Sequence, residues 1–313
     1  MEKQIRENAE LFKLDGKPSL GLAFPQALQH VLAMLVGNIT PPMLIASTLS
    51  LPPEEEIMLT QAAMIIGGIT TLLQLYPVLG FGMGLPSVMG GGSAAQANGT
   101  FGSGQFWILA LVTLAVTLLC SLGGKGYVKV SGMLIGIAVG YVIALVMGGI
   151  VDFTDFNQVG FFSIPIPFHF GLEFHPDAIL MMILMYVVQA VQTIGDVSST
   201  AMGGFGRQAT DQELGGAIKG QSICGMIGAC IGGLPTDPYS QNVGLICTTK
   251  VVAKRVFLIV GVIMLAAGIC PKFSALMATI PQPVLGGATV TVFAAITMSG
   301  IQLLNEQPMN YRN

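Results

Sequence analysis

The sequence predicts an all-α integral membrane protein, an inverted repeat with two broken segments, and three observations carry that prediction. Of its 313 residues 52% are hydrophobic and only 9% charged, where a soluble domain has about a quarter charged; the mean hydropathy is +0.74. Residues 18–53, 57–124, 178–195, 256–271 and 273–305 contain no Asp, Glu, Lys or Arg, and each run is close to or longer than the ~20 residues a spanning helix needs. Residues 80–104 and 232–250 hold too many glycines and prolines to be lipid-facing helices. Irregular backbone at membrane depth survives only where protein buries it or a wet cavity lines it. Both stretches contain Gly-Leu-Pro, at Gly84–Pro86 and Gly233–Pro235, and two spans precede each. Interruptions at matching places in two halves mark inverted repeats.

Taken in order, residues 1–19 are a polar leader with Lys3, Arg6, Lys13 and Lys17. No basic region runs directly into an apolar stretch with a small-residue cleavage site, so the leader is not read as a signal peptide. A first span covers 21–48, and Pro41 and Pro42 are expected to kink or end it. The acidic turn Glu54–Glu56 leads into a second span over 57–79, then the Gly-rich stretch. A third span covers 106–122, with Trp107 at an interface, and a fourth 130–150. The loop 151–176 carries Asp152, Asp155 and Glu173, and Pro165, Pro167 and Pro176 keep it extended. Further spans are expected at 177–198, 214–232, 256–270 and 283–304.

Lys and Arg gather in the leader, at Lys125 and Lys129, at Arg207, and at Lys250, Lys254 and Arg255, while 47–60 and 151–176 have none. The positive-inside rule then puts the N-terminus in the cytoplasm and residues 51–56 and 151–176 outside. On that count the Gly-rich stretch must cross the membrane, or an odd number of spans is absent there.

The net charge of −3 with no basic tract gives no sign of a nucleic-acid partner. Cys120, Cys224, Cys230, Cys247 and Cys270 form no C-x-x-C pair and read as small apolar fillers, not as a metal site or disulfide. No nucleophile is paired with a base, so an enzyme is not expected, nor is a cofactor; the 18 Met and 41 Gly read as close helix packing.

Polar residues inside the apolar spans are the candidates for chemistry. Gln192 and Asp196 are four apart, hence on one helix face, and such groups within a span are costly enough to mark function. The plainer reading is that Asp196 ends its span at the interface. His30, alone on an apolar stretch, is either a proton relay or a hydrogen-bonded packing residue. Tyr239, Ser240, Thr248 and Thr249 are read as satisfying local backbone, and Asp237, between two prolines, as loop chemistry.

The pattern Gln241-Asn242-x-Gly244-x-x-x-x-Thr249-Lys250 resembles the signature of the nucleobase/ascorbate transporter family, which includes bacterial uracil and xanthine permeases. Gln29-His30, Gly84 to Gly90 and Gln192 to Asp196 resemble the same family in the same order. The resemblance implies fourteen segments in two inverted halves of seven, with a core domain that holds substrate and a gate domain beside it. It makes each broken segment a short extended piece plus a half-helix, hinged at Gly84, Pro86, Gly233 and Pro235. On this division 20–104 and 177–270 are core segments, 105–150 gate-type spans, 151–176 an external loop, and 271–313 the start of a second gate region.

The implied activity is secondary active symport of a purine or pyrimidine base across the cell membrane, with xanthine or urate favoured. Gln192, Gln241, Asn242 and Gly244 would bind substrate, Asp196 and His30 are the coupling or relay candidates, and Thr249 and Lys250 complete the signature. Gln192 and Gln241 are expected near each other at mid-membrane, with 85–90 facing 235–242. Expected partners are the nucleobase, a coupling proton or sodium ion and the lipid bilayer, with a homodimer left open.

Two departures stand out. Gln192 occupies a position that is glutamate in most of the family, and an amide offers one acceptor and one donor but no titratable charge. Fourteen segments need about 280 residues before any loop, whereas this chain offers eight spans and two broken segments. The shortfall reads as an internal deletion near Gly90–Ser93 and an end, LLNEQPMNYRN, that stops where the family continues. The alternative reading is therefore a shortened, non-transporting membrane protein that binds a base or serves as a partner subunit.

Overall fold

A computed structural model describes residues 9–91, 104–123, 132–147, 156–157, 159–281, 283–284, 286–288 and 290–291. Residues 92–103 of the Gly-rich stretch, Lys125, Lys129 and most of the span expected at 283–304 lie outside the described residues.

Helix α1 (Leu20–Leu49) contains Pro25, Pro41 and Pro42 yet does not end at the proline pair; it stops at Ser50, which takes a left-handed conformation at φ 51°. Each proline removes one N–H from the ladder, and thirty residues of apolar helix absorb the loss. Helix α2 (Pro53–Leu75) starts with Pro53 in its first turn and Glu54, Glu55 and Glu56 beside it, the arrangement that preset φ and the helix dipole both favour. After β1 (Met89–Gly91) come α3 (Gly104–Gly123) and α4 (Gly132–Met147), which pack on each other.

Helix α5 (Pro176–Phe205) outruns the expected 177–198, because the polar run after Asp196 stays helical and Gly206 caps it at φ 66°. The Ser199 hydroxyl, for instance, donates to the Gly195 carbonyl at 2.6 Å within the helix. Asp196 thus does not end its span. Helix α6 (Asp211–Cys230) opens with a capping box in which Thr210 and Glu213 satisfy each other's backbone N–H. Arg207 Nη1 donates to Glu213 Oε2 at 2.9 Å and, with its hydrogen bond as the main cause, holds that carboxyl down at about 2. Then follow β2 (Thr236–Pro238), the ten-residue α7 (Ser240–Thr249), α8 (Lys254–Ile269) and α9 (Pro271–Ala278).

Among the described residues four helices are long and apolar enough to cross a membrane: α1, α2, residues 106–123 of α3, and α5. The pair α8–α9, bent by 87° at Pro271, makes a fifth candidate. The apolar stretch of α5 is only 6% buried in protein, against 67% for that of α2. Along α5 Leu184, Val187, Val188 and Val191 stand exposed, as a lipid-facing helix requires.

The core forms where α1, α2 and α8 meet. Met34, Met43, Met64, Val256, Phe257, Val260 and Met264 are buried there together. Small residues let the backbones approach: a Cβ on Gly261 would lie 2.7 Å from Leu72, and one on Gly68 3.0 Å from the Gly261 carbonyl. Gln61 Nε2 ties α2 to α8 through the Gly268 carbonyl at 2.9 Å.

The two broken segments lie side by side. β1 and β2 pair antiparallel, with Met89 opposite Pro238, Gly90 opposite Asp237 and Gly91 opposite Thr236, and Tyr239 N extends the pairing to the Val88 carbonyl at 2.9 Å. Gln74 holds the first segment in place. Its side chain accepts from Met83 N at 3.0 Å and donates to the Ala217 carbonyl of α6 at 2.8 Å. At the far end of α1 and α2 the turn residue Glu55 lies 3.6 Å from His169 of the 151–176 loop, so the two basic-free loops share one face.

Candidate functional site

Helix α7 is the half-helix that follows β2, and its first turn carries the site. Tyr239 precedes it as N-cap without a side-chain cap bond, and its ring goes elsewhere: Tyr239 Oη donates to Asn38 Oδ1 of α1 at 3.2 Å. Asn38 Nδ2 in turn meets Met64 Sδ of α2 at 2.9 Å. Ser240 Oγ lies 2.9 and 3.1 Å from the two carboxylate oxygens of Asp196 on α5. Tyr239 and Ser240 therefore satisfy side chains on distant helices, not local backbone. Thr249 does bond locally, to the Leu245 carbonyl at 2.8 Å.

Asn242 is fully buried. Its Oδ1 lies 2.7 Å from His30 Nδ1; an amide oxygen can only accept, so the Nδ1 nitrogen carries the proton. His30 is itself buried and stacks at a tilt on Phe257, ring centroids 4.6 Å apart. Asn242 Nδ2 and its neighbour Gln241 Oε1 are buried without a hydrogen-bond partner. Adjacent side chains of one helical turn thus keep one donor and one acceptor unsatisfied. A buried unmet polar group costs about 1–3 kcal/mol, which a ligand presenting the complementary pair recovers. Gly244, one turn on, is half-buried.

A second polar row faces this turn from α5. Gln192 is exposed and lies beside Asp196 on α5, whose carboxylate Ser240 meets next to Gln241. One turn back, Gln189 lies beside Asp237. Asp237 belongs to β2 and is no mere loop residue, since its backbone pairs with Gly90. Gln189, Asp237, Asn38 and the two hydroxyls are participants that sequence reasoning passed over. The signal was the spacing 189–192–196 on one helix face.

Lys250 and the hinge residues sit apart from that chemistry. Lys250 takes a left-handed conformation at the end of α7, φ 59°, and its Nζ donates to the Gly203 carbonyl at 2.6 Å. It caps the last turn of α5, where cations complement the dipole. Gly84 has φ +74°, a value that favours glycine, and precedes Leu85 and Pro86 in the turn leading to β1. In the second segment the positive φ falls at Gly232, +77°, one residue before Gly233-Leu234-Pro235. No group of three or more His, Cys, Asp or Glu able to hold a metal ion occurs among the described residues.

The model of the Permease family, Xan_ur_permease, matches residues 22–96 and 87–313. The chain belongs to the nucleobase/ascorbate transporter family. It is a multi-pass membrane permease, not an enzyme. Xanthine permease XanP of Escherichia coli K12 is 24% identical over 392 aligned positions, covering 98% of this chain and 84% of the relative. Uric acid permease PucJ of Bacillus subtilis 168 is 28% identical over 357 positions, 90% of this chain and 79% of the relative. Xanthine permease XanQ of E. coli K12 is 25% identical over 379 positions, 94% and 81%. The transmembrane domain of a cyanobacterium bicarbonate transporter, BicA, aligns with a TM-score of 0.42 at 15% identity, over 90% of this chain and 92% of that one. The chain is shorter than its relatives; the alignment to XanP outruns its 313 residues yet covers 84% of XanP, so part of the difference falls on gaps within this chain and part on stretches of XanP outside the alignment. The two family-model matches meet at 87–96, on and just beyond β1.

Proposed function

We propose that the protein is a secondary active permease for a nucleobase, with xanthine or urate the favoured substrate, and that the base docks on the first turn of α7. The observation that carries this reading is the unsatisfied pair on that turn, Gln241 Oε1 and Asn242 Nδ2. A purinedione or pyrimidinedione edge alternates N–H and C=O, so it can donate to the first and accept from the second. Relatives named for xanthine and uric acid support the substrate class. His30 fixes Asn242, while Gln192 and Asp196 complete the wall from α5.

Asp196 is the coupling group in this reading. It is the titratable residue on the face that meets Ser240, and Gln192 cannot take that role. The N-terminus is cytoplasmic, which the gathering of Lys17, Lys254 and Arg255 at the starts of α1 and α8 supports. A second reading, base binding without transport, draws on the shorter chain and on the family-model matches that meet at β1. Uptake of labelled xanthine into proteoliposomes under an imposed pH or sodium gradient decides between them. Accumulation above the equilibrium level is the expected result; binding without accumulation supports the second reading, and neither overturns both.

A further inference from the structure

Where the leader turns into α1, the end of α2 and the start of α8 leave an open cleft of about 520 Å³, lined in part by Asp15, Lys17, Tyr76, Lys254, Arg255 and Leu258. Three cations face one carboxylate. That carboxylate, Asp15, pairs with Lys254 at 2.9 Å but is 82% exposed, while the Lys254 side chain is only 22% exposed. Arg255 Nη1 donates to the Pro18 carbonyl at 2.9 Å, which anchors the leader without neutralising the guanidinium. The Lys17 side chain is exposed and pairs with no carboxylate among the described residues, while its backbone N donates to Glu10 Oε2 at 3.1 Å.

The helix terminus adds to this surplus. Lys254 and Arg255 occupy the first turn of α8, which has no acidic residue and no side-chain cap. Two of its first N–H groups are already met, Lys254 N by the Leu14 carbonyl and Val256 N by the Ala253 carbonyl, each at 2.9 Å, yet cations remain unfavourable beside the positive end of the helix dipole. The side chains of the cleft, set beside the positive end of the α8 dipole, thus leave a surplus of positive charge that an anion would meet. Of its lining, Leu258 and Tyr76 are exposed by 37% and 45%, and at the start of α1 Leu20 and Phe24 are exposed by 60% and 51%. Basic groups above exposed apolar groups, with a tyrosine between, describe a membrane interface.

We propose that this cleft binds a phosphate-bearing anion, and that its apolar flank selects the headgroup of an anionic phospholipid. The phosphate sits between Lys17, Lys254 and Arg255, with an acyl chain along Leu258 and Tyr76. Such a lipid would fasten the leader to the three helices that form the core.

The test is a titration of the full chain in detergent with phosphatidylglycerol, phosphatidylcholine or inorganic phosphate, read by native mass spectrometry and thermal shift. Phosphatidylglycerol is expected to bind and raise Tm, and phosphatidylcholine to do neither. Lys17→Gln, which disturbs no hydrogen bond of that side chain among the described residues, should weaken phosphatidylglycerol roughly fivefold, and Lys17→Gln with Arg255→Gln roughly thirtyfold. Arg207→Gln, a cation outside the cleft, should leave it unchanged. Inorganic phosphate matching the lipid in Tm shift and variant dependence would support the anion site and overturn the lipid as its source. Equal binding of the two lipids, or undiminished phosphatidylglycerol binding by both cleft variants, would overturn the proposal.

Discussion

The two broken segments pair with each other yet differ in what they contribute. The first, through Gly82, Gly84 and Gly90, offers backbone and space: Gly82 N donates to the Gly216 carbonyl and Gly84 N to the Gln74 carbonyl, each at 2.8 Å. The second offers side chains, with Tyr239, Ser240, Gln241 and Asn242 in sequence on one turn. Their fit is mutual, because a Cβ on Gly90 would run into the Tyr239 ring and hydroxyl. One arm of the pair is a seat and the other carries the polar side chains. A repeat can thus keep its pairing in both halves while the groups of the proposed docking site gather in one.

The largest expected effect lies in the second segment's reach to α5. Asp196→Asn should abolish pH-driven accumulation of xanthine in proteoliposomes while leaving equilibrium binding intact, since the asparagine can still accept from Ser240 but cannot carry a proton. Accumulation with unchanged pH dependence would place the coupling group elsewhere.

Next comes the seat. Gly90→Ala should destabilise the protein by about 2–3 kcal/mol, the cost of overpacking a closed contact, measured as loss of thermal stability in detergent. Adding Tyr239→Ala should remove that cost, so that the double variant is no less stable than Tyr239→Ala alone; additive losses would show that the contact is not what makes Gly90 necessary. A smaller effect is expected at His30. His30→Ala removes the donor that fixes Asn242, and xanthine affinity should fall by about 1 kcal/mol, with kinetics and calorimetry as the readouts.

The smallest effect serves as a control away from both segments. Glu213 has its carboxyl lowered from the ordinary 4.5 to about 2 by Arg207, so its contribution is present above pH ~4.5 and is lost as pH falls towards 2. Arg207→Gln should flatten that part of the stability profile without changing base affinity.

How much of this was legible in the sequence depends on the range of the interaction. Four of the spans, a fifth in the bent α8–α9 pair, and the two interruptions were readable because lipid and helix geometry act locally on composition, and the Gln241 to Lys250 pattern pointed to the family. The end of α5 was misread, since the run Asp196-Val197-Ser198-Ser199-Thr200 looks like an interface. Its hydroxyls instead turn back onto the helix, as Ser199 does, and buried neighbours cover the rest. Pro41 and Pro42 were given too much weight for the same reason: α1 is held by its packing on α2 and α8, not by an unbroken ladder. Tyr239 and Ser240 find partners 201 and 44 residues away, at distances no local rule can see. Asp237 reads as a turn residue until the strand opposite it is known.

The central claim is that the donor and acceptor left open on α7 are where a base docks. Isothermal titration of xanthine into the parent protein, Gln241→Ala and Asn242→Ala tests it most directly. Each substitution should cost about 1–3 kcal/mol of affinity, the penalty for leaving a buried ligand group unpaired, while Ser87→Ala in the first segment should cost nothing measurable. If both α7 variants bind xanthine as tightly as the parent, the signature turn is structural in this protein and the claim fails.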